Sequence, residues 1–196
     1  PSYFFRNNKN IKRITYLDAD IFFNKNPKKI IDEFKRSKKS ILITEHGFDP
    51  KQDDSKRSGR FCVQYMIYKN NKKTEKILKW WQKKCLEWCY IHPEDGKLGD
   101  QKYLEAWPKL FKNDICISKN NQYFQAPWNV NRFNWNDGII YHFHGLKIHY
   151  NKVYIFSKYG LNDKILKKIY LPYIKLLNNN VKKIDTNFYQ NNEKRL

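Results

Sequence analysis

A chain of 196 residues holds one domain of ordinary size and is too short for two substantial ones. Its 39 Lys and Arg against 19 Asp and Glu give a formal net charge of +20, yet 40% hydrophobic and 17% aromatic content exclude a disordered polyelectrolyte. Apolar runs such as Ile41-Leu42-Ile43 are far too short to cross a bilayer, and Pro1 to Arg6 lack the basic and cleavable parts of a secretory signal. In chain order, Ile14–Leu17 is a short β-type run that ends abruptly in Asp18-Ala19-Asp20, and Ile21-Phe22-Phe23 follows. Pro27 opens a helix with Ile30, Ile31 and Phe34 on one face, and Ser40–Thr44 reads as a buried strand. Residues 46–60 form a polar loop, and Phe61–Tyr68 is a third strand closed by Asn70-Asn71. Thr74 is placed to cap a helix whose Ile77, Leu78, Trp81, Cys85, Trp88 and Cys89 keep helical spacing.

Past a loop around Pro93–Gly96 and the Gly99-Asp100-Gln101 segment, Lys102–Trp107 is expected to be helical. Ile115–Ile117 and Ile139–Tyr141 are short strand candidates on either side of an aromatic stretch that contains Ala126-Pro127-Trp128-Asn129. A last helix spans about 163–177, and the Asn- and Lys-rich residues beyond it read as a frayed tail. Strands alternating with helices imply one α/β domain over 1–177, with a polar tail over 178–196.

The positive charge is almost all Lys, spread from Lys9 to Lys194 beside abundant Asn, Ile and Tyr, a mixture that codon bias in an A+T-rich genome would impose. Such a surface attracts polyanions without naming one. Cys62, Cys85, Cys89 and Cys116 form no C-x-x-C pair, so free thiols in a reducing, cytoplasmic compartment are expected.

Two clusters carry chemistry. Along an extended chain, Asp18 and Asp20 point to the same side, about 6.6–6.8 Å apart. Paired carboxylates repel unless a cation lies between them or one is protonated, so a hard divalent ion, Mg²⁺ or Mn²⁺, is one reading. Turn hydrogen bonds at a strand end are the other. In Tyr141-His142-Phe143-His144-Gly145-Leu146-Lys147 the two histidines alternate, so an imidazole can complete a carboxylate site while Lys147 offers a point charge to phosphate.

These residues carry a resemblance. Tyr16–Ile21 resembles the D-x-D element of sugar-nucleotide-dependent glycosyltransferases with the GT-A fold, especially glycosyltransferase family 8 and its bacterial relatives. Phe61–Met66 falls where that family has its F-N-x-G strand, Gly99-Asp100-Gln101 resembles its D-Q element, and His142–Lys147 its H-F-x-G-x-K element, all in the family's order. The resemblance implies a GT-A-like mixed sheet flanked by helices and transfer of a sugar from a nucleotide diphosphate, a UDP-sugar, to a glycan or lipid-linked acceptor of a bacterial surface polysaccharide. It implies that Asp18, Asp20 and His142 hold Mn²⁺ or Mg²⁺ on the donor diphosphate. Lys147, with Gly145, then steadies the leaving phosphate, and Asp100 and Gln101 lie beside the transferring sugar. Gln64 falls in the donor-contacting strand, and Trp128 either packs against an acceptor sugar or belongs to the core. Cys62 and Gln64 stand where the family has Asn and Gly, Lys102 replaces the second acid of D-Q-D, and Ile148-His149 replaces the Pro-Trp after the Lys. Only 17 residues precede Asp18, where a GT-A enzyme has its nucleotide-binding half, so the expectation is either an N-terminally truncated domain or a uracil pocket supplied by another segment.

Two other readings use the same residues. A phosphatase of the haloacid-dehalogenase type also sets D-x-D after an early strand, with one Asp as nucleophile and the other as acid/base, but leaves the His-Phe-His-Gly-Leu-Lys cluster without a role. A basic nucleic-acid-binding module would use interleaved Lys and aromatics, but no binding motif or Arg-rich patch accompanies them, so no nucleic acid is expected as partner. A basic surface does suit peripheral contact with the inner, anionic face of a membrane.

Overall fold

The chain enters the fold through a short helix, α1 (Ser2–Asn7), which has no buried residue and no apolar period to announce it. The structure, a computed structural model, describes residues 1–149, 152–155 and 159–181. It falls into two compact units, Pro1–His144 and Gly145–Leu196.

In the first unit β1 (Arg13–Leu17) and β2 (Ile21–Phe23) are separated only by Asp18-Ala19-Asp20. Helix α2 (Lys28–Ser37) starts after Pro27 and buries Ile30 and Phe34, and it stops at Lys38, whose φ of 57° is left-handed. Strand β3 (Ile41–Glu45) follows. The 46–60 segment, expected to be all loop, contains a 3₁₀ turn at Pro50–Gln52 and a one-turn helix, α3 (Ser55–Ser58). The long strand β4 (Phe61–Lys69) leads into α4 (Lys72–Glu87).

Two details of α4 differ from expectation for clear reasons. Its cap is Asn71, whose side-chain oxygen accepts from the Thr74 backbone N–H, while the buried Thr74 hydroxyl donates to Ser40 O. It also ends at Glu87, short of Trp88 and Cys89. The Trp88 and Tyr90 carbonyls accept from the Tyr103 hydroxyl and the Gly99 N–H instead, which draws the chain off the helical path. The expected helix near 102–107 is a 3₁₀ segment, Gln101–Ala106, running into α5 (Trp107–Leu110). The remaining strands are β5 (Ile115–Ile117), β6 (Phe124–Gln125) and β7 (Ile140–His142).

Four strands pair in the order β1-β4-β3-β5, antiparallel except for the parallel β3–β5 pair. Three more pair as β2-β7-β6, with β2–β7 antiparallel and β6–β7 parallel. One face of the larger sheet (Ile41, Ile43, Met66, Tyr68, Ile115) packs on Ile77 and Leu78 of α4 and on Leu104 and Trp107. The other (Leu42, Tyr65, Ile67, Cys116) packs on Ile30 and Phe34 of α2 and on Phe124, Ile139 and Ile140 from the smaller sheet. Burial of these aliphatic and aromatic side chains on both sides is the main force holding the layers together. All four cysteines are free, with Cys62 and Cys116 buried and Cys89 exposed.

The β3–β4 ladder is irregular: Leu42 faces Ile67, but Thr44 faces Cys62, so two steps on β3 answer to five on β4. A bulge of this kind reverses the alternation, which puts Phe61 and Val63 on the same face as Met66 and Tyr68 and re-aims the residues between them. Gln64 lies in that stretch.

In the second unit β8 (Leu146–His149) and β9 (Lys152–Ile155) form an antiparallel hairpin. Helix α6 (Asp163–Ile165) is capped by the Asn162 side chain and continues through a π-helical turn, Leu166–Tyr170, into α7 (Leu171–Val181). The widened turn ends two residues before Pro172, which lacks an N–H and whose ring crowds the carbonyl four residues back. Residues 178–181, expected to fray, belong to α7; the rest of the tail lies outside the described residues. Among the described residues no helix is long and apolar enough to cross a membrane.

Candidate metal centre

Asp18 and Asp20 lie where the chain passes from one sheet to the other. The Asp18 N–H donates to Gln64 O at 3.1 Å, adding a rung to the β1–β4 ladder. The Asp20 carbonyl accepts from the Phe143 N–H at 2.8 Å, extending the β2–β7 ladder in which Ile21 faces His142. Both ends of the tripeptide are thus clamped by backbone hydrogen bonds, and the two strands that clamp it deliver Gln64 and His142.

His142 is 5% exposed. Its Nε2 lies 3.0 Å from Asp20 Oδ1 and 3.7 Å from Asp18 Oδ2. Its Nδ1 lies 3.1 Å from Gln64 Oε1. Because an amide oxygen only accepts, Nδ1 carries the proton of that bond, and Nε2 faces both carboxylates. Tyr16, two residues before Asp18 and so on the same side of the strand, donates its hydroxyl to Asp18 Oδ1 at 2.8 Å and leaves Oδ2 toward the imidazole. Desolvation, and then the hydrogen bond to Asp18, push the Tyr16 phenol up to about 12. Burial works to raise the Asp20 carboxyl, but the hydrogen bond and charge of His142 act the other way and hold it below its ordinary value.

One ligand atom from each of Asp18, Asp20 and His142 lies within 4.8 Å of the others, the only such group of three or more among the described residues. Metal–oxygen bonds of about 2.1 Å set octahedral ligands roughly 3 Å apart when adjacent and about 4 Å when opposite. Two carboxylates and one imidazole suit a small, hard divalent ion in donor type, and the 3.0 and 3.7 Å separations of Nε2 from the two carboxylates fall in that range. Gln64 on the far ring nitrogen is what a metal-binding histidine needs to keep its other nitrogen available.

The other expected residues fall around this cluster in different ways. Asp100 is at the exposed start of the 3₁₀ segment; its carboxyl is raised, first by desolvation and then by the negative charge of Asp18. Gln101 is a tie: its Oε1 accepts from the Val63 N–H at 3.4 Å and its Nε2 donates to Ser58 O at 3.0 Å. Gln64 is wholly buried behind His142, and its Nε2 has no hydrogen-bond partner among the described residues. Trp128 is 4% exposed, with its ring against His46, His142 and His144 at centroid distances of 5.2, 5.3 and 5.6 Å, so it is a wall of the imidazole cluster rather than an open stacking face. Gly145 and Lys147 belong to the second unit, where Gly145 takes a φ of 80° before β8 and Lys147 is exposed on that strand opposite Tyr154.

Sequence reading passed over two residues. Tyr16 was recoverable from the two-residue period of a strand. His46 was not: it is buried at the end of β3, stacked on Phe48 at 4.6 Å, and its carbonyl accepts from Trp128 Nε1 and Asn129 Nδ2, both at 2.8 Å. Asn129 also binds Phe124 O and the Ala126 N–H, which makes Ala126–Asn129 a rigid turn.

No family model matches the chain. Two Bacillus subtilis (strain 168) proteins are similar to it. The uncharacterized protein YfnF is 31% identical over 160 residues, which is 72% of this chain and 52% of that protein. The uncharacterized protein YfnD is 29% identical over 175 residues, 81% of this chain and 55% of that protein. The chain thus spans about half the length of these curated relatives. Among solved structures, mouse xyloside xylosyltransferase 1 in its apo form overlays with a TM-score of 0.40 at 16% identity, over 68% of this chain and 58% of that one.

Desolvation lowers the His46 pKa to about 4, so the folded protein keeps it neutral where the unfolded chain, near 6.5, takes up a proton. The unfolded state then binds more protons between these values, and stability falls as pH drops from about 6.5 to about 4, by up to ~1.4 kcal/mol per pH unit. Urea midpoints across this window are expected to fall more steeply for the parent than for His46→Gln; parallel curves would contradict the assignment. Gln64→Leu removes the acceptor for Nδ1–H and is expected to weaken Mn²⁺ binding about 10- to 100-fold, while Gln64→Glu retains it. Titration of the protein with Mn²⁺, following the free ion by its paramagnetic resonance signal, measures this; an unchanged affinity in Gln64→Leu would remove Gln64 from the site.

Proposed function

We propose that this chain carries the metal-dependent donor site of a glycosyltransferase that takes a sugar from a nucleotide diphosphate, a UDP-sugar, and passes it to a glycan or lipid-linked acceptor. The observation that carries the reading is the convergence of Asp18, Asp20 and His142 within 4.8 Å, from the link between β1 and β2 and from strand β7. The order of the D-x-D, D-Q and H-F-x-G-x-K elements along the chain gives that cluster its sugar-nucleotide context.

Asp18, Asp20 and His142 would hold Mn²⁺ or Mg²⁺, which would supply positive charge where a leaving nucleoside diphosphate becomes more negative. The chain's own groups prepare for this. Tyr16 fixes the rotamer of Asp18, and Gln64 fixes the ring of His142, so the ligands need little reorganisation. Asp100, at the exposed rim, is the group we assign to the hydroxyls of the donor sugar. Gln101 holds the strand and turn beside it, through Val63 and Ser58. Lys147, by resemblance, is the cation for the leaving phosphate.

The haloacid-dehalogenase alternative would leave Asp18 free to attack phosphorus. The engagement of Asp18 by Tyr16 and of Asp20 by His142 favours carboxylates acting as ligands.

UDP binding measured by calorimetry is expected to require Mn²⁺ and to weaken by at least about tenfold in Asp20→Asn, a loss of ~1.4 kcal/mol or more. Lys147→Ala is expected to weaken UDP while leaving Mn²⁺ affinity intact. Equal UDP affinity with and without a chelator would contradict the reading. Hydrolysis of a phosphate monoester that disappears in Asp18→Asn would replace it with the phosphatase.

A further inference from the structure

Lysine is scattered over most of this chain, but on α4 it is ordered. Lys72, Lys76, Lys79 and Lys83 follow one another at spacings of four, three and four, which lines them along one face of the helix. All four are exposed, while Thr74, Ile77 and Leu78 turn inward. Of the acids on the helix, Glu75 pairs with Lys79 of this row at 2.8 Å and Glu87 with Lys84 at 2.6 Å, so Lys72, Lys76 and Lys83 carry the row's unmatched charge among the described residues.

The same face ends in apolar side chains. Leu86, three residues after Lys83, is 81% exposed, and as the chain leaves the helix Tyr90 and Ile91 are 60% and 95% exposed. This tip is held out by specific contacts. The Tyr90 and His92 rings stack with centroids 5.5 Å apart, Trp88 meets both edge-on, and Lys97 lies over the Trp88 ring. The Tyr90 and Trp88 carbonyls are bonded at 2.8 Å to the Gly99 N–H and the Tyr103 hydroxyl.

A nucleic acid would use the lysines and leave Leu86 and Ile91 in water. An apolar protein groove would take the aliphatic tip and leave the lysine row without a purpose. An anionic bilayer meets both: lysines against the charged headgroups, Tyr90 and Trp88 at the headgroup level, and Leu86 and Ile91 in the acyl boundary. We propose that the outer face of α4 and the 86–92 tip form a docking surface for an anionic lipid bilayer. The loop that carries the tip closes at Gly99, directly before Asp100, and the Asp100 carbonyl accepts from Trp81 Nε1 on the inner face of α4 at 2.8 Å. Docking would therefore fix the Asp100 rim of the metal cluster with respect to the lipid surface. The surface itself requires nothing of the transfer reaction.

Co-sedimentation of the 196-residue chain with phosphatidylcholine vesicles, with and without phosphatidylglycerol, tests this. The chain is expected to pellet with the anionic vesicles alone, and Asp20→Asn to behave identically. Because a net charge of +20 would draw any such protein toward anionic lipid, two comparisons decide. Lys72→Glu/Lys76→Glu/Lys83→Glu is expected to lose at least about tenfold in partitioning, while the charge-matched Lys29→Glu/Lys35→Glu/Lys119→Glu stays within about twofold of the parent. Leu86→Ser/Ile91→Ser is expected to lose about tenfold with its charge unchanged. These positions are exposed, so all variants should melt like the parent by circular dichroism. Equal losses from the two lysine sets, or full binding by the serine variant, would overturn the proposal in favour of diffuse charge attraction.

Discussion

Asp18-Ala19-Asp20 belongs to two hydrogen-bonded ladders at once. The Asp18 N–H completes the β1–β4 pairing, the Asp20 carbonyl completes the β2–β7 pairing, and a single residue lies between. That constraint sets the geometry of everything near it. A strand that continued straight would keep both carboxylates on one sheet. The handover instead places them against His142 of the smaller sheet, whose far ring nitrogen meets Gln64 of the larger one, without a long loop whose ordering would cost conformational entropy. The bulge in β4 is part of the same arrangement, since it frees Gln64 from strict alternation and lets its amide support the imidazole.

The electrostatics of the cluster run against those of the chain. On a molecule of net charge +20, Asp18, Asp20 and Asp100 gather on one side, close enough that Asp18 raises Asp100. Tyr16 and His142 satisfy part of this concentrated negative charge, each through one oxygen of one carboxylate. A divalent cation would satisfy the rest, and the wall of Trp128, His46 and Asn129 behind His142 gives it a rigid seat.

Much of this was legible in the sequence, because the signals were local. The acidic pair at a strand end, the alternating histidines and the apolar periods of α2 and α4 each lie within one element. What was hidden depended on register or on distant partners. No local pattern tells that Ile21 faces His142, which is the pairing that brings imidazole and carboxylates together. Gln64 was read as a donor contact because its motif position suggested one, but the bulge turned it inward. The residue type of Trp128 suits either an acceptor platform or core packing, and only the fold shows it enclosed by His46, His142 and His144. The end of α4 is not legible because the apolar period runs on through Trp88 and Cys89, although the Trp88 and Tyr90 carbonyls find partners outside the helix.

The most direct measurement is the anomalous scattering of a crystal of this chain grown with Mn²⁺. A site held by Asp18, Asp20 and His142 requires a strong manganese peak within bonding distance of both carboxylates and of Nε2, with Gln64 still on Nδ1. An unchanged 3.0 Å contact between His142 and Asp20, with no peak between the aspartates, would mean that the cluster is a structural hydrogen-bond network and not a metal centre.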